Sequence, residues 1–150
     1  MSTSGELCTR NVVFVTRDET VEAAAKLMRH HHVGALVVVD ETDGRRVPVG
    51  IVTDRDIVIE VCAANLDQNA ITVGEIMGPE LAKVREDEDL LETLSHMRYK
   101  GVRRLPVVDT AGDLVGLVSL DDLLEAFAEQ MAEMVRALRR EREHELQSRA

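Results

Sequence analysis

Three side chains suited to binding phosphate and sugar lie within residues 50–56. The hydroxyl of Thr53 can donate to a phosphate oxygen, and the guanidinium of Arg55 can bind a phosphate through two parallel hydrogen bonds. The ionised carboxylate of Asp56 only accepts hydrogen bonds, which suits the hydroxyl groups of a ribose. These side chains could together hold a phosphate and a sugar, but this segment taken alone favours the alternative, a well-capped helix with a solvated, charged first turn.

A strand followed by a helix would position these side chains. Residues 47–52 are mostly apolar and β-branched, which predicts a strand. Thr53 then stands at the N-cap of a helix that we expect to run to about residue 64, and Asp54 and Asp56 in its first turn suit the positive end of the helix dipole. The spacing predicts that its apolar residues face inward: Ile57, Val58 and Val61.

The same segment occurs twice in the chain. Residues 116–122 again place a glycine, two apolar residues, a hydroxyl residue, two variable residues and an aspartate in order, so Ser119 and Asp122 correspond to Thr53 and Asp56. Upstream, the two halves align without a gap at an offset of 69 residues, and a shorter hairpin loop reduces that offset to 66. The chain is therefore one supersecondary unit, duplicated.

The order of these elements resembles a tandem pair of cystathionine-β-synthase (CBS) domains, also called a Bateman module. The matching segments are residues 33–40 and 50–56, residues 102–109 and 116–122, and residues 72–77 as the lead-in to a second repeat. The resemblance implies an α/β (α+β) fold in which two β-α-β-β-α repeats pack about a pseudo-twofold axis. We predict repeat 1 at residues 1–66, repeat 2 at 67–126 and a helical extension at 127–150.

The resemblance also implies two clefts that bind an adenosine-containing ligand: AMP, ADP, ATP or S-adenosylmethionine. Asp56 and Asp122 would then bond the ribose hydroxyls, and Thr53 and Ser119 would donate to a phosphate near a helix N-terminus. The adenine slot would be lined in the first half by Val12, Val13, Val33, Gly34 and Ala35, and in the second half by Leu81, Ala82, Val102 and Leu105. The alternative for each of these apolar residues is plain core packing.

The two motifs differ in charge. Arg55 precedes Asp56, whereas Asp121 occupies the corresponding position before Asp122, so the second cleft is expected to be more acidic. Arg103 and Arg104, at the start of a strand, are candidates to bind a phosphate there. Their alternative role is a surface ion pair with one of the many carboxylates.

The remaining segments predict the same succession of elements in each half. A short helical turn is expected near residues 4–8, and a helix over 21–31 has apolar positions on its inner face at Ala24, Leu27 and Met28. The second half has a helix over 90–99. Strands are predicted at 12–15, 35–39 (buried on both faces), 81–84, 104–108 and 114–118, with a hairpin loop at 40–46, a linker at 65–70 and a turn at 111–113.

Composition restricts the possible partners. A net charge of −10 argues against a nucleic-acid surface and against anionic membranes, and no apolar run approaches the ~20 residues of a membrane span. The N-terminus lacks a signal-peptide pattern, so we expect a cytoplasmic protein. Cys8 and Cys62 are expected as buried, reduced thiols, with a disulfide as the alternative. The adjacent residues 30–32 are all histidine, but neighbours on a helix point in different directions, so no metal site is expected.

A heptad pattern follows the second motif. Apolar residues recur at alternating spacings of four and three, which predicts a long helix with a seam: Leu120, Leu124, Phe127, Met131, Met134 and Leu138. We expect residues 120–124 to pack on the chain's own module and the later residues to face a partner. A homodimer with the 119–140 helix in its interface is therefore expected, as is common in the resembled family.

Two classes of function compete at this point. One is a stand-alone regulatory module that binds an adenosyl ligand and signals by a change of shape to an unknown effector protein, without catalytic residues or a catalytic cofactor. The other is an enzyme, because residues 54–58 resemble the opening motif of haloacid-dehalogenase phosphatases. A structural or metal-binding CBS dimer without a nucleotide ligand is a further alternative.

Overall fold

The computed structural model describes residues 2–149 as two similar halves, each built on a three-stranded sheet. In both sheets the first strand pairs in parallel with the second, and the second pairs antiparallel with the third. The first sheet contains β1 (Phe14–Thr16), β2 (Ala35–Thr42) and β3 (Arg45–Thr53). The second contains β4 (Val84–Arg85), β5 (Arg104–Val108) and β6 (Leu114–Ser119). The identical topology confirms the duplication and the mixed α+β class.

Six helices complete the described chain. They are α1 (Ser4–Leu7), α2 (Val21–His31), α3 (Asp54–Ile57), α4 (Val73–Ile76), α5 (Leu90–Lys100) and α6 (Leu120–Arg149). A π-helical turn over Val58–Cys62 continues α3. Within residues 2–149, no helix combines the length and the apolar content that crossing a bilayer requires.

Each half has its own aliphatic core, and the two cores use equivalent positions. Leu36 and Val52 are fully buried in the first core, as are Leu105 and Val118 in the second. Residues 36–39 of β2 are also fully buried, as the continuous apolar run predicts. Burying one such side chain contributes roughly 1.5–3 kcal/mol, so a chain with few aromatic residues can still build two cores.

Several local predictions were wrong, among them the strand at 81–84, of which only Val84 lies in a strand. The helix after Thr53 ends at Cys62 rather than near residue 64, and Val58 is 57% exposed. Val58 lies about 100° around the helix from Ile57, away from the inward stripe through Ile57 and Val61. The predicted hairpin loop at 40–46 is mostly strand, because Asp43 and Gly44 make a two-residue turn with φ of 54° and 76°.

The short helices α1 and α4, which lead into the two repeats, are exchanged between the halves: each packs on the half that the other precedes in the sequence. Ser4 in α1 donates its N–H to the Glu88 carbonyl at 2.8 Å, so the first residues of the chain pack on the second sheet. Val73 in α4 donates its N–H to the Glu19 carbonyl, also at 2.8 Å, and α4 packs on the first core. Each half therefore completes the other.

Gly116 lies where this exchange brings two backbones together. A Cβ added there would lie 2.9 Å from the Thr9 carbonyl oxygen and against Cys8, whereas a Cβ on Gly78 would meet nothing within 4 Å. We expect Gly116→Ala to lower the free energy of unfolding by about 1–3 kcal/mol through overpacking. Gly78→Ala is the matched control and should leave it unchanged or slightly higher. Equal urea midpoints for the two variants would contradict this account.

Candidate functional site

The Thr53 corner is a reciprocal helix cap. The Asp56 N–H donates to Thr53 Oγ1 at 3.1 Å, and the Thr53 N–H donates to Asp56 Oδ2 at 2.9 Å. Ser119 and Asp122 make the same two bonds at 3.1 and 2.9 Å. The alternative interpretation of the motif, a well-capped helix, therefore holds in both halves.

Capping leaves part of each motif available for a ligand. Asp56 uses Oδ2 in the cap, while its Oδ1 makes no hydrogen bond with any residue in the range 2–149. The Thr53 oxygen accepts a bond in the cap, so its O–H proton can still be donated elsewhere. The cap also fixes both side chains relative to β3, which removes conformational freedom that a ligand would otherwise have to restrict.

A cavity of about 430 Å³ opens beside the Thr53 corner. Five charged side chains line it: Arg55, Asp56, Glu80, Arg103 and Arg104. Its apolar lining comprises Ile51, Leu81, Ala82 and Val102. The volume lies within the usual range for small-molecule sites, which is about 300–1,000 Å³. A largely apolar wall next to several guanidinium groups can hold a flat ring at one end and an anion at the other.

The cavity combines residues from both halves, which differs from the grouping expected from the sequence. Leu81, Ala82 and Val102 of the second half line the same cavity as Thr53 and Asp56 of the first. The reason is the exchange of lead-in helices: α4 packs on the first core, so the residues that follow it pass the end of β3. The three residues predicted for the second cleft therefore lie beside the first motif.

The other predicted lining residues do not line this cavity. Leu105 is fully buried in the second core, and Val13 and Val33 pack against the first core. Ala35 is buried in β2, and Val12 and Gly34 are half-buried. The plain-packing alternative thus describes Val13, Val33, Ala35 and Leu105.

A backbone pair lies where the second motif meets the first residues of the chain. The Thr9 N–H donates to the Leu117 carbonyl at 2.9 Å, and the Leu117 N–H donates to the Thr9 carbonyl at 3.0 Å. The position equivalent to Thr9 in the other half is Gly78, which lines the cavity and has open space at its Cα. The two motifs therefore have different surroundings despite identical caps.

Arg103 bridges the two motifs. Its guanidinium lies 3.7 Å from the Asp121 carboxylate, and both side chains are mostly exposed. An exposed pair at this distance typically contributes only about 0–1 kcal/mol, so Arg103 remains available to an anion in the cavity. Arg103 therefore makes the ion pair of the alternative interpretation, and both Arg103 and Arg104 line the cavity beside the Thr53 corner.

The sequence interpretation missed four lining residues: Ile51, Gly78, Glu80 and Gly101. Ile51 precedes Thr53 by two positions on a strand, so alternation alone places both on one face. Gly101 is the left-handed C-cap of α5, with φ of 67°, and it sits directly before Val102. Gly78 and Glu80 follow α4 and depend on the exchange, which leaves no mark in local periodicity.

The cysteines and histidines lie apart from this cavity. Cys8 is half-buried, and burial raises the pKa of its thiol. Cys62 is exposed, so the expectation that both thiols are buried was wrong, and both are free. The rings of His30 and His31 meet edge to face at the end of α2, with centroids 4.9 Å apart. Within residues 2–149, no cluster of three or more His, Cys, Asp or Glu residues could hold a metal ion.

The family follows from a comparison with known proteins. Residues 5–62 and 73–129 each match the CBS domain, which agrees with the repeated sheets and caps. The chain belongs to the CBS domain family. This CBS pair is 35% identical over 139 residues to hypoxic response protein 1 of Mycobacterium tuberculosis, covering 92% of the chain and 94% of that relative. It is 37% identical over 121 residues to the uncharacterized protein MK0525 of Methanopyrus kandleri, covering 81% of the chain but spanning only 60% of that longer relative.

Two solved structures share the fold and contain different ligands. The crystal structure of hypoxic response protein I with two coordinated zinc ions is 37% identical, with a TM-score of 0.72, covering 83% of this chain and 98% of that one. The structure of CBSX2 in complex with AMP is 26% identical, with a TM-score of 0.70, covering 87% of this chain and 99% of that one. One of these two relatives thus contains a metal and the other a nucleotide.

Proposed function

We propose that this CBS pair is a regulatory module that binds an adenine nucleotide in the cavity between its halves. The observation that carries the proposal is the meeting of Asp56 and three arginines with an apolar wall in one cavity of about 430 Å³. Each chemical part of a nucleotide has a counterpart there: carboxylate for ribose, guanidinium for phosphate and aliphatic surface for adenine.

The nucleotide would be held in three places. Asp56 Oδ1 accepts from a ribose hydroxyl while Oδ2 stays in the helix cap. Thr53, Arg55, Arg103 and Arg104 donate to phosphate oxygens at the start of α3. The adenine ring lies between Ile51 and Val102. The AMP complex of CBSX2 supports this class of ligand.

The charge around the cavity favours ligands that carry phosphate. Three arginines outnumber the two carboxylates of Asp56 and Glu80. AMP, ADP and ATP are anions, whereas S-adenosylmethionine carries a positive sulfonium and would be repelled by the guanidinium groups. Of the adenosyl ligands compatible with the family, this CBS pair should therefore prefer nucleotides.

Signalling would follow from the position of the cavity. Because its lining comes from both halves, a bound nucleotide contacts both and favours the relative arrangement that fits it best. Arg103 also reaches Asp121 of the second motif, so a phosphate that draws Arg103 away releases that carboxylate. A partner protein that recognises the bound arrangement would read the signal.

The aspartates of the phosphatase-like segment support a binding role rather than a catalytic one. Asp54 Oδ1 accepts the N–H of Arg55 at 2.8 Å, and Asp56 is tied into the cap. A phosphatase of the resembled type needs further motifs, and the repeated helix cap accounts for the same residues without catalysis. We therefore propose that the protein is not an enzyme.

The direct test is calorimetric titration of the purified full chain with AMP, ADP, ATP and S-adenosylmethionine. Saturable binding of a nucleotide supports the proposal, and no binding of any of the four refutes it. Zinc is titrated in parallel because one relative holds two zinc ions. Zinc binding without nucleotide binding would favour the metal-binding alternative, and phosphate release from a magnesium-supplemented assay would favour the enzyme.

We expect one nucleotide per chain rather than two. The Ser119 motif has Asp121 where the Thr53 motif has Arg55, and the Thr9–Leu117 backbone pair lies beside it. Arg55→Ala should weaken ATP binding about tenfold, the lower end for a hydrogen bond to a charged group because Arg55 is exposed. Arg29→Ala, on an exposed position of α2, is the control. Two equal sites per chain would contradict the predicted asymmetry.

A homodimer is also part of the proposal. Several large apolar side chains are exposed on the helices of both halves: Val58, Ile59, Leu91 and Leu124. Further apolar side chains are exposed along α6 beyond the module: Met131, Met134, Val135 and Leu138. Monomeric proteins rarely leave such continuous apolar surfaces in water, so a second copy is the expected cover.

A further inference from the structure

The exposed apolar residues of α6 form one stripe. Leu124, Met131 and Leu138 are seven residues apart, with Ala128 and Val135 between them, which is the spacing of a coiled-coil seam. The large side chains among them are 45–64% exposed. The adjacent inward face, which includes Leu123 and Ala126, is buried against the second core. The stripe is therefore a separate face that the chain's own module does not cover.

The charges of α6 are divided between its two ends. Residues 120–135 contain five carboxylates and no basic residue, whereas residues 136–149 contain five arginines and three glutamates. Two such helices laid antiparallel bring the acidic half of each against the basic half of the other. Laid parallel, they bring like charges together along their whole length.

The residues of the seam also favour antiparallel over parallel pairing of the two helices. Continuing its heptad past Leu138 gives Arg142 and then Glu145. In a parallel pair each seam residue meets its own copy, so Arg142 would face Arg142 and Glu145 would face Glu145. In an antiparallel pair centred near residue 133, Ala128 meets Leu138 of the second copy and Arg142 meets Leu124, so that the arginines no longer face each other, although Glu145 meets Asp121. Arg139 then lies beside Glu125 of the second copy.

The same antiparallel register places the C-terminal end of α6 from the second copy beside an apolar groove of the first copy. The groove has a volume of about 470 Å³ and lies between α5 and the start of α6. Its apolar lining is Leu91, Leu94, Met97, Val102 and Leu120. Position 120 of one helix falls opposite position 146 of the other, and Leu146 is 73% exposed on the same face as the stripe. A leucine side chain from the second copy is thus available at the level of the groove.

We propose that two copies of this chain pair their α6 helices antiparallel, with Leu146 of each copy in the α5–α6 groove of the other. This inference rests on the proposed homodimer and specifies its geometry. The pairing places the two nucleotide cavities at opposite ends of the helix pair. The C-terminal turns of one copy then touch α5 of the other, whose C-cap Gly101 lines the cavity.

Disulfide cross-linking of the full chain tests the direction. In a background with Cys8→Ser and Cys62→Ser, three chains are compared: Ala128→Cys, Leu138→Cys and the double variant. Antiparallel pairing brings positions 128 and 138 together, so only the double variant should cross-link under mild oxidation. Each single cysteine would lie about 15 Å along the axis from its copy, too far for a disulfide. Cross-linking of each single variant would instead show parallel helices and overturn the proposal.

Charge reversal tests the antiparallel pairing independently of cross-linking. Glu125→Arg should raise the dimer dissociation constant roughly tenfold, because each dimer loses two cross-helix pairs and gains two repulsions. Adding Arg139→Glu should restore most of the affinity. Glu129→Arg, on a side of the helix away from the stripe, is the control. Leu146→Asp should weaken the dimer more than Gln147→Asp, and equal effects would overturn the groove contact.

Light scattering on the unmodified chain tests the homodimer separately from the antiparallel pairing of its α6 helices. A monomer at all concentrations would overturn both the homodimer and the helix pairing. A dimer whose double cysteine variant does not cross-link would overturn the antiparallel pairing alone. Nucleotide titration of the same sample is independent of both outcomes.

Discussion

Replacing Asp56 by alanine is expected to weaken nucleotide binding by about 1.5–3 kcal/mol, which is the usual range for losing hydrogen bonds to a charged group. This corresponds to roughly a 10- to 150-fold rise in the dissociation constant. The carboxylate lines the cavity, and its Oδ1 is available to a ribose hydroxyl. Calorimetric titration of wild-type and variant chains with the same nucleotide measures the change.

The duplicated cap provides an unusually close control. Asp56→Ala also removes the acceptor for the Thr53 N–H, which should cost about 1 kcal/mol of stability. Asp122→Ala removes the same bond, at the same 2.9 Å, from the Ser119 motif. Both variants should therefore lose similar stability, while only the first should lose nucleotide affinity. Equal affinities for the two variants would exclude Asp56 as the ribose ligand.

The Thr53 corner shows why part of this site could be predicted from the sequence. A hydroxyl residue at an N-cap, followed three positions later by a carboxylate, determines its own geometry through local hydrogen bonds. Those bonds do not depend on distant residues, so both copies of the motif form the predicted corner. Because the motif and its flanking segments recur, the sequence also predicted the order of the strands and the duplication of the sheet.

The partners of that corner could not be predicted in the same way. Leu81 and Ala82 reach Thr53 because α4 packs on the opposite half, through bonds such as Gly74 N–H to the Arg17 carbonyl at 2.8 Å. A backbone contact between residues 57 positions apart leaves no pattern in either segment. The assignment of candidates by repeat therefore differs from the lining of this cavity, which includes Leu81, Ala82 and Val102 from the second half.

The start of α6 shows a similar limit. A heptad pattern identifies apolar positions but does not say which face packs on the chain's own module. Leu124 was expected to pack inward, yet it is 60% exposed, and Leu123 is the fully buried residue at that level. Phe127 packs against the second core rather than facing a partner. The stripe available to a second copy thus keeps Leu124, Met131 and Leu138 of the predicted seam, but takes Ala128 in place of Phe127.

Removing residues 131–150 is expected to convert a dimer into a monomer. The cut follows Gln130, so Leu123, Ala126 and Phe127 remain to complete the second core, whereas a cut after Glu125 would remove two of these packing residues. The lost part includes Met131, Val135 and Leu138, and each such side chain contributes roughly 1.5–3 kcal/mol when buried. Molar mass by light scattering should fall from twice 16.7 kDa to that of a single shortened chain.

A full-length variant makes the same prediction without shortening the chain. Met131→Asp with Leu138→Asp should weaken the dimer by on the order of a hundredfold or more, because four apolar side chains per dimer become charged. Both positions are already exposed in the single chain, at 64% and 57%, so the fold should be retained. Glu129→Asp with Glu133→Asp, on another side of the helix, is the control and should leave the mass unchanged. If the truncated chain and the Met131/Leu138 variant both remain dimers, α6 is not the dimer contact. Exposed residues such as Val58 and Leu91 would then be the surface to test.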